Sequence, residues 1–183
     1  MTSKSGLLLQ RVNMFTQIQD LGRFGGAALG LSQGGVIDIT SARLANALVD
    51  NAANTPLLEI GFGSIQMRAI GPLCIAVTGA AMSVVVNGKP YPRYQSLQLQ
   101  DGDQIAIGYS KAGARCYLAI AGGLVVSSVL GSCATVLREG VGGIDGKALQ
   151  PGMILPVAAI QTSFGIRSIA YQFQLKPKNM QNI

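Results

Sequence analysis

The amino-acid sequence predicts a mainly β fold, a barrel or a sandwich, with one substantial helix at about residues 38–50. Three observations lead to this prediction. Short apolar runs bounded by turn residues recur between residues 57 and 121, and an Asn-Gly pair separates two of these runs. A single stretch of the chain repeats its apolar residues with a helical period. With 183 residues, 49% of them hydrophobic, the chain is long enough to bury one sizeable core.

The helix prediction applies to the stretch that begins at Asp38 and ends with Asp50-Asn51. An aspartate directly before the first helical turn caps the free N–H groups of that turn. The apolar positions of the stretch fall near one face of a helix, as the period of 3.6 residues requires, and they are Ile39, Ala42, Ala45, Leu48 and Val49.

The strand predictions begin at residues 57–60 and 64–70, and the second of these alternates apolar and polar residues. Residues 73–78 form a continuous apolar run, which is typical of a strand buried on both faces. Residues 82–86 lead into Asn87-Gly88, a pair that favours the two positive φ angles of a type I′ hairpin turn. Further strands are predicted at 96–99, 104–109 and 115–121.

The composition excludes several kinds of catalytic and binding site. The chain contains no histidine, so by itself it can hold no Ser-His-Asp or Cys-His site and no histidine-ligated zinc. Its net charge of +6 comes from cations that are mostly spread one at a time along the chain. Because binding to nucleic acid needs several cations on one face, we expect no nucleic-acid partner.

The cysteines and the apolar segments indicate the cellular compartment in which the protein is expected. Cys74, Cys116 and Cys133 are widely spaced within apolar stretches, and no CxxC pair is present. This pattern is typical of buried thiols in a reduced protein, not of a disulfide framework or a metal site. The N-terminal apolar run is too short for a signal peptide, and the run at 73–86 falls short of the roughly 20 residues that cross a bilayer. We therefore expect a cytoplasmic protein with no membrane partner and no metal.

Polar residues and glycines are densest between Gln19 and Asp38. Six glycines, two acids, two amides and one arginine stand there, directly before the predicted helix. Successive N–H groups in such a loop are able to hold an anion or a polarised carbonyl. The alternative is an ordinary glycine-rich loop with an Asp20–Arg23 ion pair on the surface, worth less than about 1 kcal/mol. The loop matches neither a P-loop nor a dinucleotide-binding fingerprint.

Several motifs occur in an order that is typical of one family. Residues 16–23, TQIQDLGR, resemble the opening TxQDxGR, residues 30–38 resemble GVPxSGxMD, and residues 44–51 resemble LANxLVGN. Shorter matches follow at 58–60, 77–80, 101–103, 117–123 and 129–132. On these motifs the chain is similar, from about residue 7 to residue 155, to the family of the 5-oxoprolinase C subunit. That family includes allophanate hydrolase subunit 2, biotin-dependent carboxyltransferase-like proteins and an antagonist of the kinase-A inhibitor of sporulation.

The resemblance implies a cyclophilin-like β-barrel and a role in a complex. Its members act with partners that resemble the A and B subunits of an ATP-dependent 5-oxoprolinase, a hydrolase that opens the lactam of 5-oxoproline to L-glutamate. ATP is then a requirement of the complex, and we expect no activity from this chain alone.

The resemblance also implies the chemistry of the site. Both 5-oxoprolinase and the related urea carboxylase domains must polarise an unreactive amide, so a developing oxyanion has to be stabilised. We expect Arg23 and the N–H groups around Gly34 and Gly35 to act as donors. Either Asp20 or Asp38 would position the ring N–H, or Asp20 would orient Arg23. The remaining candidates for substrate binding are Gln19, Gly22 and Gln33.

The chain departs from the family pattern at positions that usually carry charge. Ala81 stands where an aspartate is common, Cys133-Ala134 replaces an Arg-Ser or Arg-Thr pair, and Met153 replaces a late aspartate. These losses favour a first alternative, a non-catalytic regulatory module that binds a partner resembling the B subunit or a kinase inhibitor. A second alternative is biotin-dependent carboxyl transfer to urea or a similar amide, which requires a biotinylated carrier protein.

Family members continue well beyond the length of this chain. We therefore expect residues 1–157 to be the cyclophilin-like N-terminal part, and 158–183 to be the weakly ordered start of a missing C-terminal half. The chain would then be a fragment or a shortened gene product, with an incomplete site between domains.

Overall fold

The structure is a computed structural model, and it describes residues 5–158 and 165–170. Those residues form eleven strands, one α-helix and two short turns of 3-10 helix. The helix, α1, spans Ile39–Leu48, and the 3-10 turns lie at Gly26–Leu29 and Leu137–Glu139. The strands are β1 (Gly6–Arg11), β2 (Thr16–Gln19), β3 (Leu57–Gly61), β4 (Ile65–Ile70), β5 (Leu73–Gly79), β6 (Met82–Val86), β7 (Lys89–Tyr91), β8 (Ser96–Leu99), β9 (Gln104–Ser110), β10 (Arg115–Ile120) and β11 (Ile154–Pro156).

The strands pair into two antiparallel sheets. The first sheet has the order β11-β1-β4-β9-β6-β7, and the second has the order β2-β3-β10-β5-β8. Side chains alternate between the two faces of each strand, and buried aliphatic residues from both sheets form one core. The prediction of a mainly β fold with one helix is confirmed, and the strands predicted between 57 and 121 are all present.

The Asn87-Gly88 turn joins β6 to β7 as predicted. Asn87 has φ 50° and Gly88 has φ 79°, which are the positive angles that a type I′ turn requires. In contrast, β1, β2 and β11 were not predicted. Both β2 and β11 are short strands at the edges of their sheets, so they carry little periodic signal.

Helix α1 packs on the outer face of the second sheet, against β5 and β10. A second group of buried residues lies there, drawn from α1 and from those strands. This explains why every residue of β5 is buried, because one face meets the core and the other meets the helix. Asp38 caps α1 as predicted, since its Oδ1 accepts from Ser41 N at 3.0 Å. Ile39, which the sequence groups with the apolar face, is 46% exposed because it lies at the border of that face.

Residues 165–170 lie against the second sheet. Arg167 O accepts a hydrogen bond from Ser96 N at 2.8 Å, and Ile169 N donates to Tyr94 O at 2.9 Å. The division of the chain at 157 and 158 stays a prediction, because most of the segment after it lies outside the described residues. Neither α1 nor a 3-10 turn of the described chain is long and apolar enough to cross a membrane.

Candidate functional site

The glycine-rich segment at 19–36 packs against a distant loop at 129–136, and we call this contact the Asp20 junction. Gln19, the last residue of β2, lies in this junction. Its Nε2 donates to Thr135 O at 3.0 Å, and its Oε1 accepts from Gly35 N at 3.1 Å. Within the segment, Arg23 N donates to Gln33 O at 2.6 Å. The junction therefore brings together seven of the eight predicted site residues, namely Gln19, Asp20, Gly22, Arg23, Gln33, Gly34 and Gly35.

Asp20 is the central acceptor of the junction. Its side chain is buried, with 3% of the residue exposed. Oδ1 accepts from Gly22 N at 2.8 Å and from Ser132 Oγ at 2.7 Å, and Oδ2 accepts from Cys133 N at 2.6 Å. Charge-assisted hydrogen bonds of this kind are stronger than those between neutral groups. The carboxylate consequently ties the start of the glycine-rich segment to the loop at 129–136.

Arg23 is buried, and no carboxylate of the described residues forms an ion pair with it. The residue is 1% exposed, its Nε donates to Val129 O at 2.9 Å, and its Nη2 donates to Ala134 O at 3.2 Å. Nη1 has no hydrogen-bond partner in the described part of the chain. The surface ion pair between Asp20 and Arg23 is therefore wrong as an alternative, because both residues are buried and each bonds to the loop at 129–136.

Two glycines of the junction pack backbone against backbone. A Cβ added to Gly35, whose φ is 91°, would lie 2.8 Å from Gly22 Cα, which is closer than real Cβ atoms approach a backbone. The N–H group of Gly35 is already bonded to Gln19. The N–H group of exposed Gly34 forms no hydrogen bond with any residue in 5–158 or 165–170. Of the two predicted backbone donors, Gly34 is thus the one that remains available.

Asp38 lies apart from the junction, at the start of α1. Its carboxylate accepts from Ser41, with Oδ2 at 2.6 Å from Ser41 Oγ, and its own N–H donates to Tyr117 Oη at 2.7 Å. Tyr117 in turn donates to Glu59 Oε2 at 3.0 Å. Arg115 Nε stands 3.4 Å from Glu59 Oε1 as an ion pair. Asp38 is thus joined to a buried network on the outer face of the second sheet.

That network is suited to structure more than to proton transfer. Burial, and then the negative charge of Glu59, raise the pKa of Tyr117 well above its ordinary value. A phenol of this kind stays protonated at neutral pH and acts as a fixed hydrogen-bond donor.

The cysteines behave as thiols, not thiolates. Cys74 and Cys116 are buried, as predicted, whereas Cys133 is only partly buried, because it lies on the loop of the junction and not in a strand. Burial raises the pKa of all three, to about 12 for Cys116. For Cys133 the charge of Asp20 raises the pKa further, and Arg23 opposes it. No cluster of three metal-binding side chains occurs in residues 5–158 or 165–170.

A cavity of about 560 Å³ lies beside the loop of the junction. Val129, whose carbonyl binds Arg23, belongs to its wall, together with a glycine-rich loop at 140–146 and with β11. The polar side chains of the lining are Ser127 and Asp145, and the rest is aliphatic or glycine. The volume falls within the range that small-molecule sites occupy.

Sequence reasoning did not single out Asp145 or the function of Ser132 and Thr135. Ser132 lies in a segment that matched a family motif, but its bond to Asp20 depends on a contact across 112 residues. The four glycines among residues 140–146 were the signal for the cavity loop, since glycine is denser there than in the segment before α1.

Comparison with known proteins places these features in a family. The family described as carboxyltransferase domain, subdomain A and B, matches residues 29–182. The chain is 36% identical to the C subunit of 5-oxoprolinase from Escherichia coli (strain K12) over 151 residues, which are 82% of this chain and 49% of that protein. It is 33% identical to urea amidolyase of Lachancea kluyveri, over 91% of this chain and 9% of that protein.

Solved structures agree with the sequence relatives. The crystal structure of TTHA0988 matches with a TM-score of 0.83 at 34% identity, over 90% of this chain and 60% of that chain. The urea amidolyase of K. lactis matches with a TM-score of 0.80 at 30% identity, over 85% of this chain and 9% of that chain. The chain spans about half the length of the 5-oxoprolinase proteins that it matches.

Proposed function

The chain belongs to the family described as carboxyltransferase domain, subdomain A and B, and we propose that it serves as one component of an ATP-dependent 5-oxoprolinase. The observation that carries this proposal is the 36% identity with the 5-oxoprolinase C subunit over 82% of the chain. The reaction is hydrolysis of the lactam of 5-oxoproline to L-glutamate. We propose that the chain performs it in the cytoplasm, together with partners that resemble the A and B subunits.

The Asp20 junction supports this function by shaping the site. Arg23 holds the carbonyls of Val129 and Ala134, and Val129 lines the cavity. Because the guanidinium group is buried, we propose Arg23 as a positioning residue for the loop that borders the cavity. Asp20 has the same role through Ser132 and Cys133.

ATP fits a site on a partner protein better than it fits the cavity of this chain. A triphosphate is held by cations and by phosphate-binding loops, whereas among the described residues that line the cavity the one charged residue is the acidic Asp145. The sequence also contains no P-loop. We therefore propose that ATP is bound by the complex outside this cavity, and that this chain contributes to binding the amide.

Genetic complementation tests the proposal. A bacterial strain that lacks its own C subunit, but keeps the A and B subunits, is given this chain and grown with 5-oxoproline as the nitrogen source. We expect growth to be restored, and to be lost again with Asp20→Asn, which disrupts the junction. The exposed Asp50→Asn variant is the matched control. Absence of growth, with the chain expressed and bound to the B subunit, would contradict the proposal.

A regulatory module is a second candidate, and the engagement of the predicted acids favours it. The carboxylates of Asp20 and Asp38 are both occupied by hydrogen bonds from the protein itself. Such a module would bind a partner resembling the B subunit or a kinase inhibitor without taking part in chemistry. Co-purification of the partner, with no ATP-dependent release of glutamate at any protein concentration, would support this candidate over the first.

Biotin-dependent carboxyl transfer is a third candidate, and the 33% identity with urea amidolyase supports it. It predicts that labelled bicarbonate is incorporated into urea when a biotinylated carrier and its carboxylase are added to the chain and its partner. Incorporation that does not depend on the chain would remove this candidate.

A further inference from the structure

The acids that the sequence offers for binding an amide N–H are already engaged. Asp20 accepts three hydrogen bonds within the junction, and Asp38 accepts two from Ser41. A small amide nonetheless needs both an acceptor for its N–H and a donor for its C=O group, because polar groups removed from water must be paired. The cavity beside the junction provides both.

The cavity loop at 140–146 presents donors without partners. The backbone N–H groups of Gly142, Ile144 and Asp145 form no hydrogen bond with any residue in the described ranges 5–158 and 165–170. All three residues line the cavity. Successive backbone N–H groups in a loop with left-handed residues form concave sites for an anion or for a carbonyl oxygen.

The shape of this loop is held by the protein, not by a ligand. A Cβ added to Gly142 would lie 1.9 Å from Ala134 O, and one added to Gly143 would lie 2.3 Å from Thr135 Oγ1. Gly143 N donates to Cys133 O at 2.8 Å. The loop thus rests directly on the 129–136 loop of the Asp20 junction, and its free N–H groups are fixed in place.

Asp145 supplies the acceptor. Asp145 is the charged residue among the described residues that line the cavity, it belongs to none of their ion pairs, and its φ of 53° is left-handed. A residue other than glycine in this conformation is uncommon, and such positions cluster at binding sites. The wall formed by Val125, Val126 and Ile154 is aliphatic, so it offers apolar contact to the carbon atoms of a bound ligand.

We propose that this cavity binds a small amide, whose N–H donates to the Asp145 carboxylate and whose C=O accepts from the N–H groups of Gly142, Ile144 and Asp145. The choice of amide rests on the proposed function, whereas the location rests on the cavity. Two relatives differ in the amide that their names imply, a lactam for the 5-oxoprolinase protein and urea for urea amidolyase. Both share the N–H and C=O pair that the cavity matches.

Titration followed by amide NMR tests the site. 5-Oxoproline and urea are added separately to the full chain and to its complex with a partner that resembles the B subunit, and cyclopentanone, which has a C=O group but no N–H, serves as the comparison probe. We expect one of the two amides to shift the resonances of Gly142, Ile144 and Asp145 in at least one of the two samples. Cyclopentanone should bind at least about 10-fold more weakly, because it leaves Asp145 without a donor.

Two aspartate variants form a matched pair for this titration. Asp145→Asn and Asp50→Asn each replace an exposed aspartate of positive φ, 53° and 59°, by a residue that tolerates the same backbone. We expect Asp145→Asn to weaken amide binding at least about 10-fold and Asp50→Asn to leave it nearly unchanged. Equal effects of the two variants, or shifts confined to residues outside 125–129 and 140–146, would overturn the proposal.

The outcomes also separate this proposal from the proposed function. If the complex hydrolyses 5-oxoproline while Asp145→Asn changes neither binding nor KM, the function stands and the cavity is not the amide site. If 5-oxoproline shifts the NMR resonances of the loop at 140–146 but no glutamate forms, the proposed site stands and the proposed function fails. If neither amide binds in either sample, the site is overturned whatever the activity.

Discussion

Ser132 Oγ donates a hydrogen bond to Asp20 Oδ1 at 2.7 Å and so joins two residues that are 112 positions apart in the chain. Both residues are buried, and the second carboxylate oxygen accepts from the neighbouring Cys133 N. A buried carboxylate is tolerated only when such donors replace water. This single pair therefore couples the glycine-rich segment before α1 to the loop that borders the cavity.

The first prediction concerns that coupling. Asp20→Asn should lower the free energy of unfolding by about 3 kcal/mol. The NH2 group of the asparagine would face N–H and O–H groups that now donate to the carboxylate, so at least one of these hydrogen bonds is lost. Ser132→Ala should cost about 1–2 kcal/mol for the lost bond. Urea denaturation of both single variants and of the double variant measures the coupling energy, which we expect to exceed about 1 kcal/mol. Additive effects would show that the two side chains do not interact.

The second prediction isolates the close approach of Gly22 and Gly35. Gly35→Ala and Gly102→Ala both place an alanine at positive φ, 91° and 86°, yet a Cβ at Gly102 meets nothing within 4 Å. Gly102→Ala should cost about 1 kcal/mol from the backbone alone. Gly35→Ala should cost roughly 2 kcal/mol more, because the backbone of Gly22 must move. Equal losses in thermal or urea unfolding would contradict this close packing of the two glycines.

The third prediction is a loss of stability at alkaline pH. The pKa of Cys116 is raised from 9.0 to about 12 by burial, so between these values the unfolded thiol ionises while the folded one keeps its proton. Stability should therefore fall as pH rises through this window, with a slope of up to about 1.4 kcal/mol per pH unit from this group. Cys116→Ala should reduce the slope of stability against pH between about pH 9 and 11. Val77→Ala should lower the stability but leave this slope unchanged. An unchanged slope in Cys116→Ala would rule out this origin.

The fourth prediction applies at acidic pH. Hydrogen bonds from the Ser32 side chain and backbone, and then Arg138, lower the pKa of Glu139 below 4.5. As the pH falls below 4.5, the unfolded carboxyl takes up a proton before the folded one does, so stability is lost with decreasing pH. Ser32→Ala should reduce the loss of stability per pH unit in this acidic range. Ser127→Ala, which removes an exposed hydroxyl that forms no hydrogen bond with a described residue, should leave the pH dependence unchanged.

The sequence predicted those parts of the fold that depend on local pattern. The turn at Asn87-Gly88, the cap at Asp38 and the doubly buried β5 are all set by residues that are neighbours in the chain. The short edge strands β2 and β11 were missed because each depends on pairing with a strand far away in sequence, Gln19 with Leu57 and Ile154 with Leu8.

The sequence predicted which residues belong to the candidate site, but not what each of them does there. The residues from Gln19 to Gly35 were recognised as one group, and they do lie together. Their roles were not predictable, because whether Arg23 meets a substrate or two backbone carbonyls depends on where the loop at 129–136 packs. Asp145 was not recognised for the same reason, since the cavity exists only where the segments at 125–129, 140–146 and 154–156 meet.

Reconstitution tests most directly the proposal that this chain is a required component of an ATP-dependent amide hydrolase. Purified partners that resemble the A and B subunits are incubated with ATP and 13C-labelled 5-oxoproline, with and without this chain, and labelled glutamate is followed by NMR. We expect glutamate to form only when the chain, the partners and ATP are all present. Formation of glutamate at the same rate without the chain, or none with all components assembled, would contradict it.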